Sequence, residues 1–183
     1  MIKITFEAHS TSLDNESHVS SGHFDVELSP LGIQQSKEKG VRYANRSFDA
    51  IFCSDLQRSY KTAQIAFEGR DIEAFQDARL RECDYGEWTR KPSSEVEAER
   101  VNRIAEPFPK GESYIQTTAR MKEFLKELLE DYKDVEGGAK ILIIGHRATQ
   151  YALDHLINKE PLKAAIVKPW KWQPGWTYYL KSI

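Results

Sequence analysis

Two histidines, His9 and His146, stand directly after two short apolar segments of the chain. His9 follows the alternating segment 2–8, and His146 follows the apolar segment 140–145. Each segment has the length and composition of a strand, and each is followed by small or polar residues and then by a helical pattern. In an open α/β sheet, ligands bind in the crevice outside the carboxyl ends of the strands. Two imidazoles at that edge predict chemistry on an anion, with one histidine attacking and the other binding.

Two further side chains are expected at the same edge of the sheet. Arg58 lies in the first turn of a helix that follows a strand, where the helix N-terminus favours anions and an arginine can contact phosphate with two nitrogens. The alternative for Arg58 is a surface pair with Asp55, three residues earlier. Glu82 follows the third predicted strand, and a carboxyl group that keeps its proton beside a phosphate can act as general acid for a leaving alkoxide. Asp84 and Glu87 are alternatives for that role.

The small residues after His9, beginning with Ser10, offer hydroxyl and backbone N–H groups that could cradle phosphate. The other histidines, His18, His23 and His155, lack a comparable context. No set of histidine, cysteine and acidic residues has the spacing of a metal site, so we expect neither a metal nor another cofactor.

The elements that must position these side chains alternate along the chain. The predicted strands cover residues 2–8, 48–53, 72–75 and 140–145, and the predicted helices cover residues 30–46, 56–67, 112–133 and 148–157. From residue 164 onward the chain is predicted to form one or two strands around Pro174 and Gly175. This order predicts an α/β fold, a three-layer sandwich with a central, mostly parallel sheet and helices on both faces.

Residues 77–111 are the least regular part of the chain, with a short acidic helix expected around residues 93–103. We expect them to form a small cap over the carboxyl edge of the sheet, within a single domain that covers residues 1–183. A central parallel strand is usually apolar on both faces, but the second face of the first strand carries Glu7. Either that face is partly hydrated, or Glu7 has a partner.

The composition narrows the classes of function. The chain has 183 residues, 26 basic and 28 acidic, and its formal net charge of −2 gives no long-range attraction to nucleic acid or to an anionic membrane. No segment approaches the roughly 18 apolar residues of a membrane span, and no signal peptide precedes the first strand. With only two cysteines, a disulfide framework is not expected, and we expect a cytoplasmic protein. The aromatic residues near the C-terminus are interpreted as core and edge packing rather than a platform for nucleic-acid bases.

Six short motifs follow one another along the chain. They lie in residues 9–15, 22–32, 54–63, 80–86, 111–120 and 144–146. In this order they resemble the histidine phosphatase superfamily, the phosphoglycerate-mutase-like group, over nearly the whole chain. Each motif alone is a weak signal, whereas six in the family's order indicate its fold.

The resemblance implies a metal-independent phosphomonoester hydrolase that acts on a small phosphorylated substrate through a phosphohistidine on His9. In this interpretation Arg58 and His146 bind the phosphoryl oxygens, and Glu82 protonates the leaving oxygen and then helps to activate water. The remaining residues expected around the substrate are Ser10, Asn15, Ser21, Gly22 and Arg147.

The chain also departs from the family at the predicted site. The arginine that precedes the family's nucleophile is Ala8 here, the glycine that follows it is Ser10, and the residue after the second histidine is Arg147. Loss of a charged phosphate contact costs about 1.5–3 kcal/mol for each hydrogen bond. One hypothesis is that Arg147 replaces the missing charge; the competing hypothesis is that Arg147 pairs with Glu7.

Three alternative functions follow from these patterns. Ala8 could mark a degenerate site in a phospholigand-binding or regulatory module without turnover. A phosphoglycerate-type mutase is disfavoured because the predicted cap is small. A dinucleotide-binding domain is excluded because no glycine-rich turn follows the first strand. The sequence does not identify the substrate or the oligomeric state; Trp88, Phe108 and His23 are candidates for the entrance to the site.

Overall fold

The protein is built around a sheet of five strands in the order β3-β2-β4-β1-β5. A computed structural model describes residues 1–183. The strands are β1 (Ile2–Ala8), β2 (Ala50–Cys53), β3 (Ala74–Gln76), β4 (Ala139–Gly145) and β5 (Trp176–Leu180). The first four are parallel to their neighbours, and only the edge strand β5 is antiparallel. The predicted, mostly parallel sheet is therefore confirmed.

Seven α-helices accompany the sheet. They are α1 (Leu13–Glu16), α2 (Pro30–Arg42), α3 (Gln57–Ala66), α4 (Ser93–Glu99), α5 (Tyr114–Asp131), α6 (Arg147–Leu156) and α7 (Leu162–Val167). Side chains of α5 and α6 share one apolar core with β1 and β4, and residues of α3 share a second core with β2 and β4. Helices thus cover both faces of the sheet, as the three-layer prediction requires.

The alternation in β1 has a direct structural explanation. Ile2, Ile4 and Phe6 are almost fully buried in the core beneath α5 and α6. Glu7, on the opposite face, is also fully buried. Of the two alternatives for this face, hydration or a partner for Glu7, the second is therefore correct. Its partners come from the end of α2, which lies across that face.

Local side-chain chemistry marks where the long helices begin, whereas α2 ends at Arg42 and not at residue 46 as predicted. Ser29 caps α2, its hydroxyl accepting the N–H of Gly32 at 3.1 Å, and Pro30 occupies the first turn. Ser113 and Gln116 form a reciprocal capping box at the start of α5. No side chain caps the start of α3, and Asp55, which lies just before it, pairs with Arg81 at 2.6 Å.

The C-terminal segment was predicted incorrectly in part. Residues 162–167 form α7 rather than a strand, and its buried residues Ala165 and Ile166 pack beside Tyr151 of α6. The strand prediction holds only for β5, which follows the turn at Gly175. A short apolar segment is ambiguous between helix and strand, and here tertiary packing decides for the helix.

Residues 77–111 contain two 3₁₀ helices, Ala78–Leu80 and Gly86–Trp88, followed by α4. Tyr85, Val96 and Phe108 from this segment form a third apolar cluster with residues of α6 and α7. The cluster adjoins the end of the sheet at which β4 passes into α6. In none of the helices is an apolar stretch long enough to cross a lipid bilayer.

Candidate active site

A cavity of about 610 Å³ opens where β1 and β4 end. Ala8 and His9 contribute from the end of β1, and His146 and Arg147 contribute from the end of β4. The four residues predicted to carry the chemistry, His9, Arg58, Glu82 and His146, all line this cavity. The structure therefore brings together side chains from four separate parts of the chain.

The imidazole of His9 is held in one orientation and in one tautomer. Its Nδ1 lies 2.7 Å from the carbonyl oxygen of Ser10. Because a carbonyl oxygen can only accept a hydrogen bond, Nδ1 carries the proton and Nε2 keeps its lone pair. Removal from bulk water, together with the nearby positive charge of Arg58, lowers the pKa of His9 to about 3. His9 is therefore a neutral imidazole with a free Nε2 across the physiological pH range.

His146 lies beside His9, with the ring centroids 5.0 Å apart. It is almost fully buried, and burial and the charge of Arg58 keep its pKa well below the usual range. Its Nε2 lies 2.6 Å from the hydroxyl oxygen of Ser54, at the end of β2. Its Nδ1 is buried and has no partner within the protein. The site thus contains one imidazole nitrogen that is available to a ligand on each of the two rings.

Arg58 is a buried cation whose position is fixed by backbone oxygens. Its two terminal nitrogens donate to the carbonyl oxygens of Phe24 at 3.0 Å and Gly22 at 2.8 Å. A guanidinium has five N–H donors, so these two bonds leave others for an anion. The alternative pair with Asp55 is wrong, because Asp55 is bound to Arg81.

Glu82 is also nearly buried, and one of its oxygens is fully engaged. Oε1 accepts the backbone N–H of Cys83 at 2.8 Å and that of Ala148 at 3.2 Å. Both of these hydrogen bonds go to Oε1, and Oε2 takes part in neither of them. The alternatives, Asp84 and Glu87, do not line the cavity.

Four of the five predicted substrate-binding residues line the cavity, Arg147 among them, and one does not. Asn15, Ser21 and Gly22 lie along its wall. Gly22 has a φ of +52°, and a Cβ there would lie 3.1 Å from the backbone nitrogen of Tyr85, so the close approach of the two loops favours glycine. The prediction for Ser10 is wrong, because Ser10 does not line the cavity: its N–H donates to the hydroxyl of Thr62 at 3.0 Å, and its own hydroxyl is bound to that of Ser36 at 2.9 Å.

A charged cluster adjoins Ala8. The buried carboxylate of Glu7 is contacted by Nζ of Lys39 at 3.1 Å, by Arg42 at 2.9 Å and by the hydroxyl of Tyr43 at 2.6 Å. Lys39 and Arg42 also line the cavity. Two cations and one carboxylate together carry one net positive charge. This charge lies beside Ala8, the position at which the histidine phosphatase motif has an arginine.

Arg147 lies on the other side of the cavity. Its guanidinium donates to Glu97 of α4 at 2.7 Å and lies over the rings of Tyr151 and Trp170. The hypothesis that Arg147 pairs with Glu7 is therefore wrong, because Glu7 has its own partners on α2. Arg147 does line the cavity, at its junction with α4.

The residues predicted to line the entrance to the site are not those that line the cavity. Trp88, Phe108 and His23 are not among the lining residues, and Phe108 is fully buried in the third apolar cluster. Trp170 and Trp172 line the cavity instead. The sequence analysis assigned these two tryptophans to core and edge packing, and it did not single out Lys39 or Ser54. The motif at residues 54–63 contained a signal for Ser54, whereas nothing local marked Lys39.

Comparison with known proteins places this arrangement in context. The sequence profile of the histidine phosphatase superfamily (branch 1) matches residues 6–168. Phosphoserine phosphatase 1 of Hydrogenobacter thermophilus is 31% identical over 136 residues, which are 70% of this chain and 64% of that protein. Adenosylcobalamin/alpha-ribazole phosphatase of Salmonella typhimurium is 26% identical over 147 residues, which are 76% of this chain and 71% of that protein.

Solved structures show the same fold. A mycobacterial glucosyl-3-phosphoglycerate phosphatase superposes with a TM-score of 0.80 at 24% identity, covering 91% of this chain and 87% of the other. At this identity the similarity concerns the architecture, and the chemistry has to be argued from the residues of this chain.

Proposed function

This chain belongs to the histidine phosphatase superfamily, branch 1, and from that basis we propose that it is a phosphomonoesterase that transfers a phosphoryl group to His9 and then to water. Proteins similar to it are named as phosphatases or as phosphoglycerate mutases. The substrate is a small phosphate ester. Because side chains provide the nucleophile, the cations and the acid, the proposed reaction needs no metal or other cofactor.

The observation that carries the proposal is the state of His9. Its Nδ1–H is bound to the carbonyl oxygen of Ser10, so that Nε2 is unprotonated and free to attack. Its lowered pKa keeps it neutral at the pH at which a phosphate monoester is a dianion. A histidine with only a structural role would be expected to have both ring nitrogens bonded or to be exposed to water.

In the first step, Nε2 of His9 forms a bond to phosphorus while the bond between phosphorus and the ester oxygen breaks. Oε2 of Glu82 gives its proton to the departing oxygen, which leaves as an alcohol. Arg58 and the Nδ1–H of His146 bind the phosphoryl oxygens, whose charge is stabilised in a cavity with little water. Asn15, Ser21 and the backbone near Gly22 complete the wall around the phosphoryl group.

In the second step, water replaces the alcohol. The carboxylate of Glu82 removes a proton from the water as its oxygen bonds to phosphorus, and the bond between phosphorus and Nε2 breaks. Inorganic phosphate is released, and both His9 and Glu82 return to their initial protonation states. The same carboxyl group acts as acid and then as base because the leaving oxygen and the attacking oxygen occupy the same position.

The position of Ala8 bears on whether turnover occurs. We propose that Lys39 takes over the role of the missing arginine, since it is a buried cation that lines the cavity and makes only one hydrogen bond, to Glu7. Its charge contributes to the lowered pKa of His9. Arg147 is proposed to contact the alcohol part of the substrate, because its guanidinium is held by Glu97 and Trp170.

The alternative is a phospholigand-binding module without turnover, which the loss of the arginine at position 8 favours. The two are separated by assaying a panel of phosphate esters without added metal, for the wild type and for His9→Gln. We expect release of inorganic phosphate by the wild type and none by His9→Gln. Saturable binding of the same esters without phosphate release would favour the binding module, and transfer of phosphate to a second alcohol instead of water would favour a mutase.

A further inference from the structure

The cavity is larger than its phosphoryl-binding end requires. A volume of about 610 Å³ lies in the range of pockets that bind whole small molecules. A single phosphoryl group fills only a small part of this volume. The rest of the cavity therefore must receive the alcohol part of the substrate, and its walls should reflect the chemistry of that group.

Two tryptophans from the C-terminal segment form part of this remaining wall. Trp170 is partly buried, and its indole N–H donates to the side-chain oxygen of Gln150 at 3.0 Å. Trp172 is 56% exposed although its ring borders the cavity. Trp170 is thus tied to α6 by a hydrogen bond, whereas Trp172 leaves much of its indole open to solvent beside the cavity.

An arginine lies over each of these indoles. The guanidinium carbon of Arg42 is 5.8 Å from the ring centroid of Trp172, and that of Arg147 is 5.8 Å from the ring centroid of Trp170. Arg42 is in turn bound to the buried carboxylate of Glu7. A cation that is itself anchored to β1 through Glu7 thus holds Trp172 from one face, and this arrangement orders an exposed side chain.

The backbone that carries the tryptophans is also held close to α2. Gly175 has a φ of +82°, and a Cβ at this position would lie 2.9 Å from the hydroxyl oxygen of Tyr43. Any other residue would force the segment away from Tyr43 and from the neighbouring Glu7. Glycine at this position therefore fixes where Trp172 lies relative to the cavity.

From these contacts, and resting on the proposed function, we propose that Trp172, assisted by Trp170, is a stacking platform for the leaving group. The substrates are phosphate monoesters whose alcohol carries a planar aromatic or heteroaromatic ring. The phosphoryl group lies at His9 while the ring lies against the open part of the Trp172 indole. An indole offers a large stacking area to any flat ring, so the platform selects for planarity rather than for one pattern of hydrogen bonds.

The test compares two esters that share the same reacting group. Adenosine 5′-monophosphate and ribose 5-phosphate are both esters of a primary alcohol, and they differ by the presence of the planar base. Binding is measured by titration calorimetry with His9→Gln, which cannot turn over either ester, and kcat/KM is measured with the wild type. We expect the nucleotide to bind about tenfold more tightly than ribose 5-phosphate, from the usual size of base stacking.

Substitution of Trp172 should remove the preference for the nucleotide over ribose 5-phosphate and change nothing else. In the His9→Gln background, Trp172→Ala should bring the Kd of the nucleotide to that of ribose 5-phosphate and leave the Kd of ribose 5-phosphate unchanged. Trp172→Phe should retain part of the preference. Tyr179→Ala is the matched control, since Tyr179 is 53% exposed on β5 and does not line the cavity; it should change nothing.

Equal affinities for the two esters, or a nucleotide preference that survives Trp172→Ala, would overturn the platform. Neither result depends on turnover. Failure of the proposed function would instead be seen as the absence of phosphate release by the wild type. A protein that binds the nucleotide through Trp172 but releases no phosphate would support the platform and contradict the phosphatase.

Discussion

The hydroxyl oxygen of Ser54 lies 2.6 Å from Nε2 of His146. Both groups are buried, and the backbone N–H of Ser54 is bound in turn to the hydroxyl of Ser59. When the Ser54 hydroxyl donates to Nε2, the proton of the neutral imidazole is on Nδ1, the nitrogen without a partner in the protein. Ser54 therefore prepares His146 to donate a hydrogen bond to a phosphoryl oxygen.

Removal of this hydroxyl should weaken phosphate binding. In Ser54→Ala, Nε2 can take the proton, and the inhibition constant of inorganic phosphate should rise about tenfold, the effect of one hydrogen bond to a charged group. Ser94→Ala is a matched control because Ser94 is exposed on α4 and does not line the cavity. Unfolding temperatures establish that both variants are folded, and an unchanged inhibition constant in a folded Ser54→Ala protein would contradict this role.

Lys39 should be needed for binding of the phosphoryl group. Lys39→Met removes the cation beside Ala8 and should raise the inhibition constant of inorganic phosphate about tenfold. Lys37→Met, an exposed lysine of the same helix, should have little effect.

Lys39→Met also removes one partner of a buried carboxylate, so loss of stability has to be separated from loss of charge. Glu7→Gln provides this separation, because it disrupts the same cluster and leaves Lys39 in place. It should lower the unfolding temperature without weakening phosphate binding. If Glu7→Gln weakens phosphate binding as much as Lys39→Met does, the effect comes from disorder of the cluster and the assignment of Lys39 is wrong.

The role of Glu82 can be tested through the leaving group. Glu82→Gln keeps an oxygen for the N–H groups of Cys83 and Ala148 but has no acidic proton. For an alkyl phosphate, kcat should fall by about 10² to 10⁴, the usual contribution of general acid catalysis. For 4-nitrophenyl phosphate, whose phenolate leaves without protonation, the first step should be affected much less, as measured by the burst of nitrophenol in rapid mixing. Equal losses with both esters would contradict a general acid at this position.

The histidines at the site predict a specific dependence of stability on pH. The pKa of His9 is lowered to about 3 and that of His146 is lowered well below 6.5, first of all by burial. Between the folded and the unfolded pKa, the unfolded chain binds more protons, so stability is lost as the pH falls below about 6.5. Each histidine contributes a slope of up to about 1.4 kcal/mol per pH unit.

Denaturant unfolding at pH 5, 6 and 7 measures this slope. The free energy of unfolding of His9→Gln should fall less steeply with decreasing pH than that of the wild type. For the same reason, loss of activity through protonation of His9 in the free enzyme should occur near pH 3 rather than near pH 6.5. Identical slopes in the two proteins would show that His9 is not held neutral by the fold.

Much of this arrangement could be predicted because the positions at which strands end are local features of the sequence. His9 and His146 each follow an apolar strand, and parallel strands place their carboxyl ends at one edge of the sheet. The proximity of the two histidines could therefore be predicted from the sequence. The start of α2 at Ser29 and Pro30 is likewise a local signal, whereas α5 begins two residues after the predicted position 112.

The parts that could not be predicted depend on contacts between distant segments. Lys39 acquires its position only because α2 packs across the end of β1, where Glu7 binds it. Trp172 lies at the cavity because the turn at Gly175 packs on Tyr43. Ser10 was assigned to the phosphate site because of its chemistry and its place in the chain, whereas its partners, Ser36 and Thr62, lie on α2 and α3.

The most direct measurement is to trap the covalent intermediate. The wild-type protein is mixed with a phosphate ester, quenched in alkali within milliseconds, digested and analysed by mass spectrometry, because a phosphohistidine is stable in base and labile in acid. We predict a phosphoryl group on His9, present in the wild type and absent from His9→Gln, with no phosphate release by the variant. Phosphate release that persists in His9→Gln, or a phosphoryl group on a different residue, would contradict the account.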